Sequence, residues 1–206
     1  MNTRLISADE PQAIDHAVAL LREAALVAFP TDTVYGLAAA IDQPRAINRL
    51  FEAKGRPEEK AVPVLLADRS QLDRVASQVA QPVLRLAEAF WPGPLTLIVP
   101  KADDLPAELS SLPTIGVRVP DHPVALALLR ATGPLAVTSA NRSGRPDCLT
   151  AGAVKDQLDG LIELIVDGGL TPGGRPSTVA AMEDTELRVL REGPISLAVM
   201  RAALAS

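Results

Sequence analysis

Short apolar runs alternate with segments of helical periodicity along the whole chain, and this alternation limits the possible folds more than any other feature. The runs that predict strands are 26–29, 62–66, 95–99, 115–119, 135–138, 164–167, 178–182 and 188–191. The segments that predict helices are 11–23, 44–54, 82–91, 123–131, 151–158 and a short stretch from residue 196. Interleaved strands and helices favour an α/β fold with an open, mixed, twisted sheet and flanking helices. Pro63 lies inside one run and predicts that its strand is irregular or at a sheet edge.

The chain shows no internal repeat, no low-complexity tract and no long linker. Its 206 residues are within the range of a single globular domain. The sequence therefore predicts one domain over residues 1–206.

Composition argues against several classes of function. Aromatic residues make up 2% of the chain and the net charge is -5, which disfavours a stacking platform for single strands and indiscriminate polyanion binding. One cysteine, Cys148, and two histidines, His16 and His122, provide neither a disulfide framework nor a metal cluster. The amino terminus has no apolar signal segment and no run is long enough to span a membrane, so the sequence predicts a cytoplasmic protein.

A polar segment follows the first predicted strand. Thr31, Asp32 and Thr33 come directly after the apolar run 26–29, and Gly36 follows them. Ligands of open α/β sheets usually bind at the carboxyl ends of strands, where these hydroxyls could bind a small polar substrate. An Asx turn or a helix N-cap explains the same residues. Both interpretations stay open at this point.

A second segment, 54–60, contains two of the four lysines of the chain. Lys54 is at the carboxyl end of a predicted helix, where any cation complements the helix dipole. Arg56 is followed by Pro57, so a planar guanidinium projects from a stiffened loop. Guanidinium groups suit bidentate phosphate recognition and lysine supplies a point charge. The helix end explains Lys54 but not the whole segment, so phosphate binding and an ordinary helix end both stay open at this point.

Further polar groups follow other predicted strands. Ser139 and Asn141 come after the run 135–138 and can donate to phosphate oxygens, although an ordinary polar turn has the same composition. Arg118 is late in an apolar strand, where a buried arginine needs an anionic partner. Ser177 and Arg191 bring another hydroxyl and guanidinium to strand ends. Several strand ends with phosphate-type ligands are a more specific signal than any one of them.

The common catalytic and nucleotide-binding motifs are absent. The sequence contains no Gly-x-x-x-x-Gly-Lys-[Ser/Thr] loop, no Gly-x-Gly-x-x-Gly and no Gly-x-Ser-x-Gly. His16 is predicted to be solvated on the polar side of the first helix, and His122 to lie at the start of a later one. An enzyme with this sequence would work mainly by positioning and electrostatics.

Seven short segments of the chain, taken in the order in which they occur, resemble the motifs of a known family. They are Pro-Thr-Asp-Thr-Val-Tyr-Gly-Leu at 30–37, Lys-Gly-Arg-Pro at 54–57, Phe-Trp-Pro-Gly-Pro-Leu-Thr at 90–96, Val-Arg-Val-Pro-Asp-His-Pro at 117–123, Ser-Ala-Asn-Arg-Ser-Gly at 139–144, Pro-Ser-Thr-Val at 176–179 and Leu-Arg-Glu-Gly-Pro at 190–194. This order closely resembles the YrdC-like threonylcarbamoyl-AMP synthase family, over residues 6–195.

The resemblance implies a nucleotidyltransferase, L-threonylcarbamoyladenylate synthase. Such an enzyme converts L-threonine, bicarbonate and ATP into threonylcarbamoyl-adenylate and pyrophosphate. Separate tRNA threonylcarbamoyl transferase proteins then use the product to make threonylcarbamoyladenosine in tRNA. The resemblance also implies a concave basic cavity, Mg²⁺ bound with ATP mostly through the phosphates, and possible direct binding of tRNA or double-stranded RNA.

The family's site residues carry over by their position in the motifs. The resemblance assigns catalysis to Lys54, Arg56, Ser139 and Asn141. It assigns L-threonine binding to Thr33, Arg118, Ser177 and Val137. It assigns ATP binding to Arg56, Lys60, Thr114, Ser139, Asp147 and Arg191. Longer members have a histidine where this chain has Leu65, as well as an extra C-terminal domain, so the chain resembles the short, single-domain form. Leu65 leaves one of the family's threonine contacts open.

Three alternatives remain at this point. One is a pure RNA-binding module, which the low aromatic content and the negative charge disfavour. Another is a non-catalytic paralogue of the same fold. Such paralogues tend to lose the Lys-x-Arg and Ser-x-Asn pairs, and this chain keeps both. The third is a sensor of ATP or an amino acid without catalysis.

Overall fold

The computed structural model describes residues 2–55, 61–183 and 186–205. Over these residues the chain forms one mixed sheet of ten strands with helices packed on it. The strands are β1 (Arg4–Ser7), β2 (Val27–Phe29), β3 (Gly36–Ala40), β4 (Val64–Leu65), β5 (Leu95–Pro100), β6 (Thr114–Arg118), β7 (Leu135–Ser139), β8 (Leu164–Asp167), β9 (Thr178–Glu183) and β10 (Glu186–Arg191). The α-helices are α1 (Ala13–Arg22), α2 (Pro44–Lys54), α3 (Gln81–Phe90), α4 (Pro123–Thr132), α5 (Ala151–Leu158) and α6 (Leu197–Ala205). Short 3-10 helices span Arg69–Arg74 and Ala107–Leu109.

The strand order in the sheet is β1-β8-β2-β3-β7-β4-β6-β5-β9-β10. Four neighbouring pairs are parallel: β1 with β8, β8 with β2, β4 with β6, and β5 with β9. The remaining pairs are antiparallel. The predicted α/β class with an open, mixed sheet and flanking helices is confirmed.

Helix α2 illustrates how the sequence places an element. Pro44 occupies the first turn, where its missing N–H costs nothing, and Gly55 ends the helix with a left-handed φ of 57°. Ile47, Leu50 and Phe51 are buried, as their spacing predicts. No described helix is long and apolar enough to cross a membrane.

Apolar side chains pack on both faces of the sheet. One cluster includes Leu50 of α2, Leu86 of α3 and Leu97 of β5. The other cluster joins Leu21 of α1 and Leu128 of α4 to the opposite face of the sheet. Burial on both faces fixes the strands, so the loops at their ends have defined positions.

Strand β4 differs in part from the prediction. It comprises only Val64 and Leu65, and it lies inside the sheet between β7 and β6, so the edge position suggested by Pro63 is wrong. Pro63 lies just before the strand, and its carbonyl accepts a hydrogen bond from the Val137 amide (2.8 Å), so the contact with β7 extends one residue beyond β4.

The sequence patterns did not predict β1 and β3. Strand β3 reads Gly-Leu-Ala-Ala-Ala, a composition with low strand propensity, and it forms because β2 and β7 pair with it on both sides. Gly36 has a packing role there, since a Cβ would lie 2.8 Å from Val137 Cγ1. Tertiary pairing therefore determines this strand.

Candidate functional site

A cavity of about 370 Å³ opens where β2 and β7 end and β3 begins. It is lined by Thr31, Thr33, Val34, Tyr35, Gly36, Ala61, Pro63, Leu65, Thr96, Ile98, Gly116, Arg118, Val137, Thr138, Ser139, Pro176, Ser177, Val179, Leu190 and Arg191. The polar segments at 31–33, 139 and 177 are far apart in sequence and meet at this cavity. The cavity therefore brings together groups that follow β2, end β7 and precede β9.

The loop after β2 presents two buried hydroxyls to the cavity. Thr31 Oγ1 donates to the Val34 carbonyl (2.7 Å), so its own hydrogen is used. The contact of 2.9 Å between the two threonine hydroxyls must then be a donation from Thr33 to Thr31. Strand β3 follows this loop, so the helix N-cap interpretation is wrong. Thr33 Oγ1 keeps its lone pairs as acceptors.

Arg118 ends β6 and is 5% exposed. Its Nε donates to the Gly93 carbonyl (2.9 Å), its Nη1 donates to Thr33 Oγ1 (3.0 Å), and its Nη2 forms an ion pair with Asp32. Burial lowers the pKa of Arg118, while the Asp32 carboxylate raises it. The prediction that a buried arginine here needs an anionic partner is confirmed, and the partner is Asp32.

Arg191 is fixed at another wall of the cavity. Its Nε and Nη2 donate to the Ser177 carbonyl (3.0 and 2.9 Å), and Nη2 also donates to Ser177 Oγ (3.0 Å). Ser177 Oγ lies 2.8 Å from Thr96 Oγ1, which ties the start of β9 to β5. Burial lowers the pKa of Arg191, while the charge of Asp147 raises it. Asp147 therefore lies near Arg191, although it does not line the cavity.

A β-bulge directs Arg191 into the cavity. Neighbouring residues of a regular strand point to opposite faces of the sheet. The pairing of β10 with β9 shifts between Val189 and Arg191, so Leu190 is an extra residue. Both Leu190 and Arg191 consequently line the cavity.

Lys54 and Asn141 stabilise the loop after β7. Lys54 is 3% exposed, and its ammonium donates to the backbone carbonyls of Ser139 and Asn141. The Asn141 amide donates to the carbonyls of Arg142 (3.1 Å) and Arg145 (2.7 Å). Asn141 Oδ1 is buried and has no hydrogen-bond partner among the described residues. Neither Lys54 nor Asn141 lines the cavity, whereas Ser139 does.

The other predicted site residues are placed as follows. Val137 and Leu65 line the cavity. Thr114 begins β6, about 13 Å along the strand from Arg118, and does not line the cavity. Arg56 and Lys60 lie outside the described residues.

The sequence patterns missed two structural groups of the site. Tyr35 lines the cavity, and its hydroxyl donates to the Gly169 carbonyl (2.8 Å) and accepts from the Gly168 amide (3.2 Å). Gly173 packs against the Thr31–Thr33 loop, since a Cβ would lie 2.4 Å from the Asp32 carbonyl oxygen. Only the clustering of glycines at 168–174 hinted at this contact.

His122 precedes Pro123 at the start of α4, as predicted. Burial lowers its pKa, while the charges of Asp32 and Asp121 raise it. Among residues 2–55, 61–183 and 186–205, no group of three or more histidine, cysteine, aspartate or glutamate side chains could hold a metal ion.

Comparisons with known proteins show the family of this chain. Residues 19–193 match the family designated Sua5_yciO_yrdC, described as "Telomere recombination". The chain is 45% identical over 202 residues to a threonylcarbamoyl-AMP synthase of Bacillus subtilis, covering 97% of this chain and 58% of that protein. It is 37% identical over 184 residues to a threonylcarbamoyl-AMP synthase of Vibrio cholerae, covering 87% of this chain and 97% of that protein.

A solved structure shares the whole fold. The crystal structure of Pyrococcus abyssi Sua5 complexed with L-threonine superposes with a TM-score of 0.93 at 38% identity, covering 98% of this chain and 61% of that chain. The chain therefore spans about three fifths of the length of that protein and of the Bacillus relative.

Proposed function

Because the chain belongs to the Sua5/YciO/YrdC family, we propose that it is a threonylcarbamoyl-AMP synthase. In this proposal it forms threonylcarbamoyl-adenylate and pyrophosphate from L-threonine, bicarbonate and ATP. The observation that carries the proposal is one cavity with a fixed guanidinium at two of its walls, Arg118 beside Thr33 and Arg191 beside Ser177. The Arg118 guanidinium suits the carboxylate of an amino acid, and the Arg191 guanidinium suits the phosphate chain of ATP.

The proposed threonine end is formed by Arg118 and Thr33. Arg118 is a donor and binds the carboxylate of the amino acid, while Thr33 Oγ1 accepts from its amine. A relative of the same fold was crystallised with L-threonine, which supports threonine as the substrate in the proposal. Ser177 and Val137 are the further threonine contacts in the proposal.

The proposed ATP end is formed by Arg191, Ser139 and the loop after β7. Arg191 neutralises phosphate charge, and Ser139 presents its hydroxyl from a loop that Lys54 and Asn141 stabilise. Arg56 and Lys60 extend the phosphate contacts in the proposal. Thr114 and Asp147 are proposed at the rim.

The chemistry requires no nucleophilic side chain. The threonine amine and CO2 derived from bicarbonate form a carbamate, whose oxygen attacks the α-phosphorus while pyrophosphate leaves. The attacking oxygen is already anionic, so the protein contributes orientation, charge neutralisation and exclusion of water. This agrees with a site built from arginines, hydroxyls and backbone carbonyls.

A Mg²⁺ ion bound with ATP would supply further charge neutralisation. The described residues offer no dedicated metal cluster, and Asp32 is already paired with Arg118. The donor set therefore fits an ion that is held mostly by the phosphates, as Mg²⁺ commonly is in nucleotide sites.

We place the reaction in the cytoplasm, where its proposed substrates occur. The proposed product supplies tRNA threonylcarbamoyl transferase proteins, which complete the modification of tRNA. Direct binding of tRNA or double-stranded RNA by this chain is a separate part of the proposal, and so is a basic character of the cavity.

One assay separates the proposal from its alternatives. ATP, L-threonine and bicarbonate are added singly and together, and pyrophosphate release is measured. The synthase requires all three; a sensor or a non-catalytic paralogue binds ATP without threonine-dependent release. An RNA-binding module instead shows steeply salt-dependent tRNA binding without turnover.

The same assay tests Arg56. Arg56→Ala is expected to lower the rate of pyrophosphate release about a hundredfold. Near-normal release by this variant at saturating threonine and bicarbonate would remove Arg56 from the site.

A further inference from the structure

Asp32 has no assigned role in the proposed reaction and does not line the cavity, yet its carboxylate contacts a residue that does. Its side chain is 10% exposed and that of Arg118 is 6% exposed. Asp32 Oδ1 accepts from Arg118 Nη2 and also from the Asp121 amide (3.1 Å). The carboxylate is thus anchored to the backbone after β6 and bound to the guanidinium at the end of β6.

The Arg118 guanidinium has five N–H groups. Three of them are used by Gly93, Thr33 and Asp32, which hold the planar group from three directions. The other two N–H groups have no partner among the described residues. Because Arg118 lines the cavity, these two groups are donors for a bound anion such as the carboxylate of an amino acid.

The hydrogen bonds around Arg118 run in one direction. Arg118 donates to Thr33, Thr33 donates to Thr31, and Thr31 donates to the Val34 carbonyl. Asp32 is the only charged group in this set that accepts from Arg118 among the described residues. All three bonds have a charged donor, but only the bond to Asp32 also has a charged acceptor. Asp32 therefore adds the attraction of an ion pair to the hydrogen bonds that hold the guanidinium.

We propose that Asp32 is a positioning residue for the amino-acid substrate, which it serves by orienting Arg118 at the cavity wall. The proposal rests on the proposed synthase function. Asp32 does not touch the substrate in this account. Its loss weakens recognition of threonine and leaves recognition of ATP unchanged, because Arg191 is held by Ser177 and not by Asp32.

The chain offers a matched control for this idea. Glu163 is also a partly buried carboxylate that binds an arginine, Arg49 (2.5 Å), and a backbone amide, that of Leu26 (2.8 Å). Leu26 precedes β2, so this pair is at the end of β2 opposite the cavity. Glu163→Gln removes the same charge from the same kind of contact at a distance from the site.

The experiment measures the KM values for threonine and ATP, and kcat, by pyrophosphate release with Asp32→Asn, Asp32→Ala and Glu163→Gln. Threonine binding is measured in parallel by calorimetry.

Asp32→Asn keeps the oxygen acceptor without the charge, and we expect it to raise the KM for threonine about tenfold, as for the loss of one charge-assisted hydrogen bond. Asp32→Ala is expected to raise it further, and neither variant changes the KM for ATP more than about twofold. Glu163→Gln is expected to leave both KM values unchanged.

Two results would overturn the proposal. One is a threonine KM in folded Asp32→Asn within about twofold of wild type. The other is an equal rise in Glu163→Gln, which would show a general effect of lost stability. Asp32→Asn decides the outcome where Asp32→Ala does not fold. Absence of threonine-dependent turnover in the wild type refutes the synthase function instead, and the calorimetric comparison of wild type with Asp32→Asn then still tests Asp32.

Discussion

The ammonium of Lys54 donates a hydrogen bond to the backbone carbonyl of Ser139, a residue 85 positions later in the sequence. Lys54 ends α2 and Ser139 ends β7, so this bond joins a helix to the loop at the cavity. Lys54 also donates to the Asn141 carbonyl, and the Lys54 carbonyl accepts from the Ser143 amide (2.9 Å). Lys54 thus shapes the loop that presents Ser139, in addition to placing a positive charge near it.

We expect Lys54→Met to lower the free energy of unfolding by about 3 kcal/mol, because it leaves buried carbonyl oxygens unsatisfied. Pyrophosphate release is expected to fall at least tenfold, since the loop with Ser139 loses its support. Lys155→Met is the control, because Lys155 forms an exposed ion pair with Asp159 and one long hydrogen bond to the Thr3 carbonyl (3.3 Å), and should change stability by less than about 1 kcal/mol. Chemical denaturation of the two variants checks this. Equal stability losses would contradict the structural role of Lys54.

The two arginines of β10 allow a second comparison. Arg191 lines the cavity and is held by Ser177, whereas Arg188 is 56% exposed and pairs with Glu183 and Glu186 at the surface. We expect Arg191→Ala to raise the KM for ATP about tenfold and Arg188→Ala to change it less than twofold. Arg191→Lys should recover little, since lysine cannot reproduce the two bonds to the Ser177 carbonyl. Similar KM values in the two alanine variants would remove Arg191 from the nucleotide site.

Much of the sheet could be predicted from the sequence, because most of its strands are apolar runs bounded by glycine, proline or polar residues. The runs 135–138 and 164–167 agree with β7 and β8 to within one residue. Strand β3 could not be predicted, since its alanines pair only because β2 and β7 lie on either side of it.

The types of residue in the site could be predicted from the sequence, but their hydrogen-bond and ion-pair partners could not. A buried Arg118 implies an anion, but nothing in the local pattern selects Asp32, which is 86 residues away. The end of a helix implies a cation at Lys54, but not that its ammonium binds the carbonyls of a distant loop. The bulge at Leu190 likewise depends on the pairing of β10 with β9. These contacts are set by tertiary structure.

Gly173 provides a third prediction, because the loop that contains it packs on the backbone of the Thr31–Thr33 loop. A Cβ at Gly173 would lie 2.4 Å from the Asp32 carbonyl oxygen and 2.8 Å from Thr33 Cα. We expect Gly173→Ala to lower the free energy of unfolding by about 2 kcal/mol through overpacking, and to raise the KM for threonine. Gly152→Ala is the control in α5, where the nearest atom would be 3.9 Å away, and it should stabilise by up to about 1 kcal/mol. Thermal unfolding and steady-state kinetics measure both effects, and a neutral Gly173→Ala would refute the contact.

Tyr35 connects the cavity to the turn after β8. Its hydroxyl donates to the Gly169 carbonyl and accepts from the Gly168 amide. Burial raises the pKa of Tyr35 to about 12, and the nearby Asp167 raises it as well. The folded protein therefore keeps this phenol protonated at a pH at which an exposed tyrosine, with a pKa of about 10, ionises.

This difference in pKa has a defined consequence for stability. Between pH 10 and pH 12 the unfolded chain loses the Tyr35 proton and the folded chain keeps it. Ionisation therefore stabilises the unfolded state alone, and the free energy of unfolding falls as the pH rises. The contribution of Tyr35 is fully present below pH 10, and we expect about 2 kcal/mol of it to be lost across this window.

The variant Tyr35→Phe tests this. It should be less stable than wild type at pH 8, through its lost hydrogen bonds, and should lose less stability from pH 9 to pH 11. The buried thiol of Cys148, with a pKa raised to about 11, titrates in both proteins and cancels in the comparison. Urea denaturation at pH 8, 9, 10 and 11 measures the difference, and parallel declines in the two proteins would show that the Tyr35 hydroxyl is not held in its protonated form by the fold.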